Sequence, residues 1–169
     1  MVTIGDVTAI VAFLSGLGLS SWALVVCAGL LMPERVDRAR AALAFSLRAC
    51  ILRGLGLVAV PGIISFVLIV QPAPLGKLLG MAGLLCLLAL AVVGTAGISR
   101  AAAEQIRSMQ PDVSDYASFT RGAGFLIGGA MLPLLGWFLV APLMLVAALG
   151  CGWFGNRVRP LTTVSADLA

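Results

Sequence analysis

Residues 122–156 read GAGFLIGGAMLPLLGWFLVAPLMLVAALGCGWFGN, 35 residues in succession without a charged side chain. Three other uncharged tracts precede this one, at 7–33, 54–76 and 78–99, and every Lys, Arg, Asp and Glu lies between or beyond the four tracts. A charge at the middle of a bilayer costs at least ~2.5–3.5 kcal/mol even on a lenient insertion scale. This segregation of charge therefore predicts an integral membrane protein.

The composition supports the same prediction. Hydrophobic residues make up 61% of the 169-residue chain and charged residues 11%, against roughly 45–50% and 25% in soluble domains. So much apolar surface cannot be hidden in a soluble fold of this size, so lipid must cover it. The net charge of +4 comes from eleven basic residues spread over several short connections, which is too dilute for a nucleic-acid-binding surface.

The sequence carries no recognisable catalytic or metal-binding pattern. It contains no His, and no two of its four cysteines have C-x-x-C spacing, so a zinc site is not expected. Ion-coupled transporters usually place an ionisable residue within the membrane, and the four tracts contain no Asp, Glu, Lys or Arg. We therefore expect a protein that is not an enzyme and that uses no cofactor and no metal.

We predict an all-α, polytopic fold, a single transmembrane domain over residues 1–169 with three full spans and a proline-broken C-terminal hydrophobic hairpin. A helix needs about 20 residues to cross the ~30 Å hydrocarbon core of a bilayer. The second and third spans are joined by a short connection and should form an antiparallel hairpin. The predicted spans are about 8–31, 54–70, 78–99 and 122–155.

The fourth tract allows two interpretations. As one helix it would extend ~52 Å, too long for an ordinary crossing, and it contains Pro133 and Pro142, which interrupt helices. It is therefore either one long kinked span, or a hairpin of two short legs that crosses the bilayer or dips into it and returns.

Basic residues favour the hairpin and predict an orientation. With a hairpin, ten basic residues face one side and only Lys77 faces the other; with a single span the division is eight to three. Because Lys and Arg accumulate on the cytoplasmic side, we predict that the Arg-rich connections lie inside and the N-terminus outside. The first residues show no signal-peptide pattern, and the short loops are typical of a bacterial inner membrane.

Small residues at four-residue spacing mark helix faces where another helix could approach closely. They could pack within this chain's own bundle or against another subunit. The candidates for helix packing or subunit contact are Ala12, Gly16, Ser20, Gly76, Gly80, Gly124 and Gly128.

The two Arg-rich connections form a second candidate surface. The segment 34–53 has apolar residues at helical spacing, and Pro33 with Glu34 is typical of a helix start, so we predict a helix that runs into the second span. Ser114 or Asp115 can cap a further helix that leads into the fourth tract. The arginines either contact a soluble partner or lipid headgroups, or simply fix the topology. The candidates for partner or lipid contact are Arg35, Arg38, Arg40, Arg48, Arg100 and Arg107.

These features predict a non-catalytic integral membrane subunit that scaffolds, anchors or stabilises a larger membrane complex. Its expected partners are membrane lipids and other membrane subunits or further copies of itself, and no nucleic acid. The alternative is a small oligomeric channel or carrier for an uncharged solute, lined by hydroxyls such as Ser15, Ser65 and Thr95. An enzyme built on acids of the connections, such as Glu104 and Asp115, is a third interpretation.

Overall fold

The structure is a computed structural model that describes residues 4–132 and 134–154, and every regular element in these residues is helical. The helices are α1 (Ile4–Leu31), α2 (Pro33–Phe45), α3 (Leu47–Leu57), α4 (Ile63–Val70), α5 (Pro74–Met109), α6 (Asp115–Met131) and α7 (Ala141–Phe154). Wider π-helical turns, Val58–Gly62 and Gly136–Val140, join α3 to α4 and precede α7.

Four helical segments are long and apolar enough to cross a membrane, which confirms the all-α, polytopic fold. These segments are Gly5–Leu31, Leu47–Val70, Pro74–Met109 and Gly136–Trp153.

Ser46 separates the first connection from the second span, where the sequence suggested one continuous helix. Its backbone N–H closes α2 by donating to Ala42 O, and its hydroxyl accepts a hydrogen bond from the N–H of Ala49 at 3.2 Å, as an N-cap does. The helix that contains the predicted second span therefore begins at Leu47, and Arg48 and Arg53 lie in its first turns. Within this span, Pro61 lacks an N–H and lies in the π-helical turn.

The predicted hairpin of the second and third spans is confirmed by the packing of α4 against α5. Gly76 and Gly80 are buried in this interface. A methyl group on Gly80 would lie 2.7 Å from the carbonyl oxygen of Ser65, closer than real side chains approach. The absence of a side chain at Gly80 thus lets the two backbones touch.

Towards their other ends, α7 lies between α3 and α5 and packs on both. A methyl group on Gly54 of α3 would overlap the carbonyl of Val146 in α7, and one on Gly94 of α5 would overlap the carbonyl of Ala148. These backbone contacts can form only where there is no side chain. Through these contacts α7 connects the second span to the third.

The fourth tract is divided into two helices, α6 and α7. The chain leaves α6 at Leu132, which is extended with ψ of 126°, and α7 with its π-helical turn follows. Pro133 and the end of the chain, with residue 155 of the predicted span and Arg157 and Arg159, lie outside the described residues.

Helix α6 reaches only part of the way along α1. Phe119, near the start of α6, packs against Gly29, and Met131, at its end, packs against Gly18. Beyond Gly18, α1 continues for another 14 residues, or ~21 Å. The uncharged part of α6, 122–131, measures ~15 Å, half of the ~30 Å hydrocarbon core. We therefore expect the turn after Met131 to lie inside the core, with the hairpin dipping in and returning.

Candidate functional site

The Arg-rich connections meet at one end of the bundle, which we call the charged end: α2, the last turns of α5 and the start of α6. Their acids and arginines form ion pairs within the chain. The four pairs are Arg38–Glu34, Arg40–Glu104, Arg100–Asp37 and Arg107–Asp115.

Three of these pairs connect different helices, whereas Arg38–Glu34 lies within α2. Arg100 of α5 binds Asp37 of α2, and its guanidinium also lies 5.8 Å above the ring of Phe119 in α6. The side chains of the Arg40–Glu104 and Arg100–Asp37 pairs are about one third to one half exposed, and such pairs contribute only ~0–1 kcal/mol each. The charged end is thus held in one arrangement by several weak interactions.

Four of the six arginines predicted to contact a partner or lipid are therefore engaged inside the chain: Arg38, Arg40, Arg100 and Arg107. Arg35 and Arg48 are exposed, and neither forms an ion pair with any residue in the described ranges. Contact with a partner or with headgroups stays a prediction for all six, and these two have their charge free for it.

The hydroxyls considered for a solute path lie in separate places. Thr95 and Ser99 donate to carbonyl oxygens one turn earlier in α5, at 2.8 and 2.9 Å. Ser65 is buried where α4 meets α5, and Ser15 is exposed on α1. A solute path lined by these hydroxyls stays a prediction.

Two of the seven small residues predicted for helix packing act within the chain, namely Gly76 and Gly80. The other five are exposed: Ala12, Gly16 and Ser20 on α1, and Gly124 and Gly128 on α6. A methyl group at Gly16 or Gly128 would meet no atom within 4 Å. Contact of these five with another subunit stays a prediction.

Sequence reasoning missed the closest helix contacts, which involve Gly54, Gly94 and Gly150. A methyl group on Gly150 would overlap the carbonyl of Cys50. None of the three belongs to the four-residue patterns singled out above. The available signal was the high density of Gly and Ala in the stretches 91–97 and 147–152. Small residues are needed there because each helix contacts more than one neighbouring helix.

The cysteines divide into two groups. Cys50 and Cys151 are each 1% exposed and pack as small residues in a buried cluster with Ala39 and Ala42. Cys27 and Cys86 are exposed on the apolar surface of α1 and α5.

Half of α1 stands apart from the rest of the described chain. Residues 5–17 are all exposed except Leu14, which is half-buried. The remainder of α1 is packed: Val25 and Val26 are buried in the cluster that contains Phe119. The exposed half, residues 5–17, is therefore held in position by the packed half, and most of its side chains face the surroundings.

Comparison of the chain with protein-family models, with curated proteins and with solved structures finds no match. Its function is therefore inferred from its own residues and their geometry.

Proposed function

We propose that this protein is a non-catalytic integral membrane subunit that scaffolds, anchors or stabilises a larger membrane complex. It would lie in a bacterial inner membrane with the charged end in the cytoplasm, as the positive-inside rule predicts. The observation that carries the proposal is the face of exposed small residues in α1, namely Ala12, Gly16 and Ser20.

Exposure of apolar residues to lipid has little cost, so exposure alone does not indicate a partner. The composition of the exposed half of α1 is more informative. In lipid, helices associate through close van der Waals packing at small residues. Ala12 and Gly16 lie on one face of the exposed half of α1, and Ser20 lies on the same face one turn further along. All three are exposed, so a helix of another protein can approach the backbone of α1 there.

The charged end supports a structural role over a catalytic one. Glu104 and Asp115, the acids considered for an active site, pair with Arg40 and Arg107 respectively. An acid paired in this way holds two helices together. Two observations thus support the proposal. The acids Glu104 and Asp115 are paired within the bundle, and one half of α1 is exposed.

A photo-crosslinking amino acid at position 16, compared with one at position 56, tests the proposal. Gly16 and Gly56 are both exposed, and added atoms at either glycine meet nothing within 4 Å, so the fold should accept both replacements. We expect a discrete adduct with a second membrane polypeptide from position 16 and only lipid adducts from position 56. Lipid adducts alone from both positions in native membranes would contradict the proposal.

A further inference from the structure

The exposed face of α6 carries a shallow groove with an arginine at one end. The groove has a volume of about 380 Å³ and is lined by Arg121, Gly124, Phe125, Gly128 and Gly129. The groove exists because its three glycines have no side chains to fill it. A second groove of about 490 Å³, between α1 and α6, shares Gly124 and Gly128 with it.

Arg121 differs from the paired arginines of the charged end. It is exposed, and it forms no ion pair with any residue in the ranges 4–132 and 134–154. Arg107, two turns of α5 beyond Arg100, is by contrast neutralised by Asp115. Arg121 is thus a cation without an internal partner at the start of an uncharged helical segment.

We infer that this groove binds an anionic phospholipid from the leaflet at the charged end. The guanidinium of Arg121 would donate hydrogen bonds to the phosphate, since arginine presents a planar fork of donors that matches phosphate oxygens. One acyl chain would lie along Gly124 and Gly128, where no side chain keeps it away from the helix backbone.

The dimensions of α6 fit a lipid of one leaflet. Arg121 and Gly129 are eight residues apart, or ~12 Å along the helix axis. Half of the ~30 Å hydrocarbon core is ~15 Å, so a lipid with its phosphate at Arg121 has most of its chain beside the groove. The helix ends at Met131, close to the depth at which the leaflet ends.

A second copy of this chain is a poorer occupant for the same face. Two copies in one membrane have the same orientation, so pairing through Gly124 and Gly128 would run their α6 helices parallel. Arg121 lies one turn before Gly124 and Phe125, and the two guanidinium groups would then approach each other. Like charges repel there, whereas a phosphate neutralises the charge. The inference is also independent of the proposed function, which concerns α1.

Lipid retention by the purified full-length chain tests the inference. Native mass spectrometry would count molecules of phosphatidylglycerol and of phosphatidylcholine with identical acyl chains that stay bound. We expect wild type to prefer phosphatidylglycerol by about fivefold, the contribution of one basic residue near a lipid surface. Arg121→Gln should remove this preference, while Lys77→Gln, which removes an exposed cation at the other end of the bundle, should leave it unchanged.

Filling the groove gives a second, separate readout. Gly128→Leu should lower retention of both lipids, and the matched Gly56→Leu should not, because both glycines border open space and neither replacement disturbs packing. Equal phosphatidylglycerol retention by Arg121→Gln and wild type would overturn the inference. Disulfide-linked dimers of Gly128→Cys in phosphatidylglycerol bilayers would overturn it as well, by showing a second copy in the groove.

Discussion

The Gly54→Leu substitution is expected to prevent stable folding of the bundle, whereas Gly56→Leu, two residues further along α3, is expected to be accepted. At Gly54, even a methyl group would overlap the carbonyl of Val146 and lie 3.1 Å from the backbone nitrogen of Gly150. At Gly56, it would meet no atom within 4 Å and would point into lipid.

The destabilisation expected at Gly54 is large because the backbones of α3 and α7 cannot move apart. α7 is held from its other side by Gly94, whose own added methyl group would overlap Ala148. Moving α7 away from Gly54 therefore presses it into α5. Overpacking usually costs ~1–3 kcal/mol, and insertion of a whole leucine between two backbones should cost at least ~3 kcal/mol, among the largest single-residue effects.

Thermal unfolding of both variants in the same mild detergent measures this difference. We expect Gly54→Leu to unfold far below wild type, or to yield no monodisperse protein, and Gly56→Leu to unfold within a few degrees of wild type. Similar midpoints for the two variants would mean that α7 does not lie between α3 and α5.

The Leu134→Arg substitution is expected to be the most damaging change on the lipid-facing surface. Leu134 follows α6, at the point where the hairpin turns, and its side chain is 78% exposed. A charge held at mid-bilayer costs at least ~2.5–3.5 kcal/mol. If the turn lies inside the hydrocarbon core, as the length of α6 indicates, an arginine there must stay in lipid or pull the hairpin out of the membrane.

Leu75→Arg is the matched control, because Leu75 is 74% exposed and lies beside Lys77 at the short turn between α4 and α5. Protein burial is the same at both positions, so only membrane depth distinguishes them. We expect normal membrane insertion for Leu75→Arg and a strongly reduced yield of inserted protein for Leu134→Arg.

Cysteines at the same two positions give the depth without adding a charge. In intact vesicles of both orientations, a membrane-impermeant maleimide should react with Leu75→Cys from one side and with Leu134→Cys from neither. Reaction of Leu134→Cys from the same side as Leu75→Cys would show that the hairpin crosses the whole bilayer.

The helices could be predicted from the sequence because their cause is local. In lipid, the backbone N–H and C=O groups of each uncharged tract have no water to bind, and a helix satisfies their hydrogen bonds within the tract itself. Local chemistry also predicted that Ser114 or Asp115 begins a helix, and the hydroxyl of Ser114 does accept a hydrogen bond from the N–H of Ala117 at 3.3 Å. Ser46 was missed because apolar residues continue on both sides of it at helical spacing, which hides the cap between α2 and α3.

The packing could not be predicted, because it depends on which distant segments meet. Gly54 and Gly16 look alike in the sequence, yet one touches the backbone of α7 and the other touches nothing. The same holds for the arginines: Arg100 and Arg121 both flank an uncharged tract, but among the described residues only Arg100 meets an acid, Asp37 of α2. Spacing along one helix shows which residues share a face, and only the tertiary arrangement shows what that face contacts.

The most direct measurement of the proposed role is the mass of the particle extracted in a mild detergent from cells that express the protein at its native level. The chain itself weighs 17.3 kDa. We predict a particle that contains at least one further polypeptide and that loses it when Gly16 is replaced by leucine but not when Gly56 is. A particle with the mass of one chain and its lipids, in wild type as in both variants, would contradict the proposal.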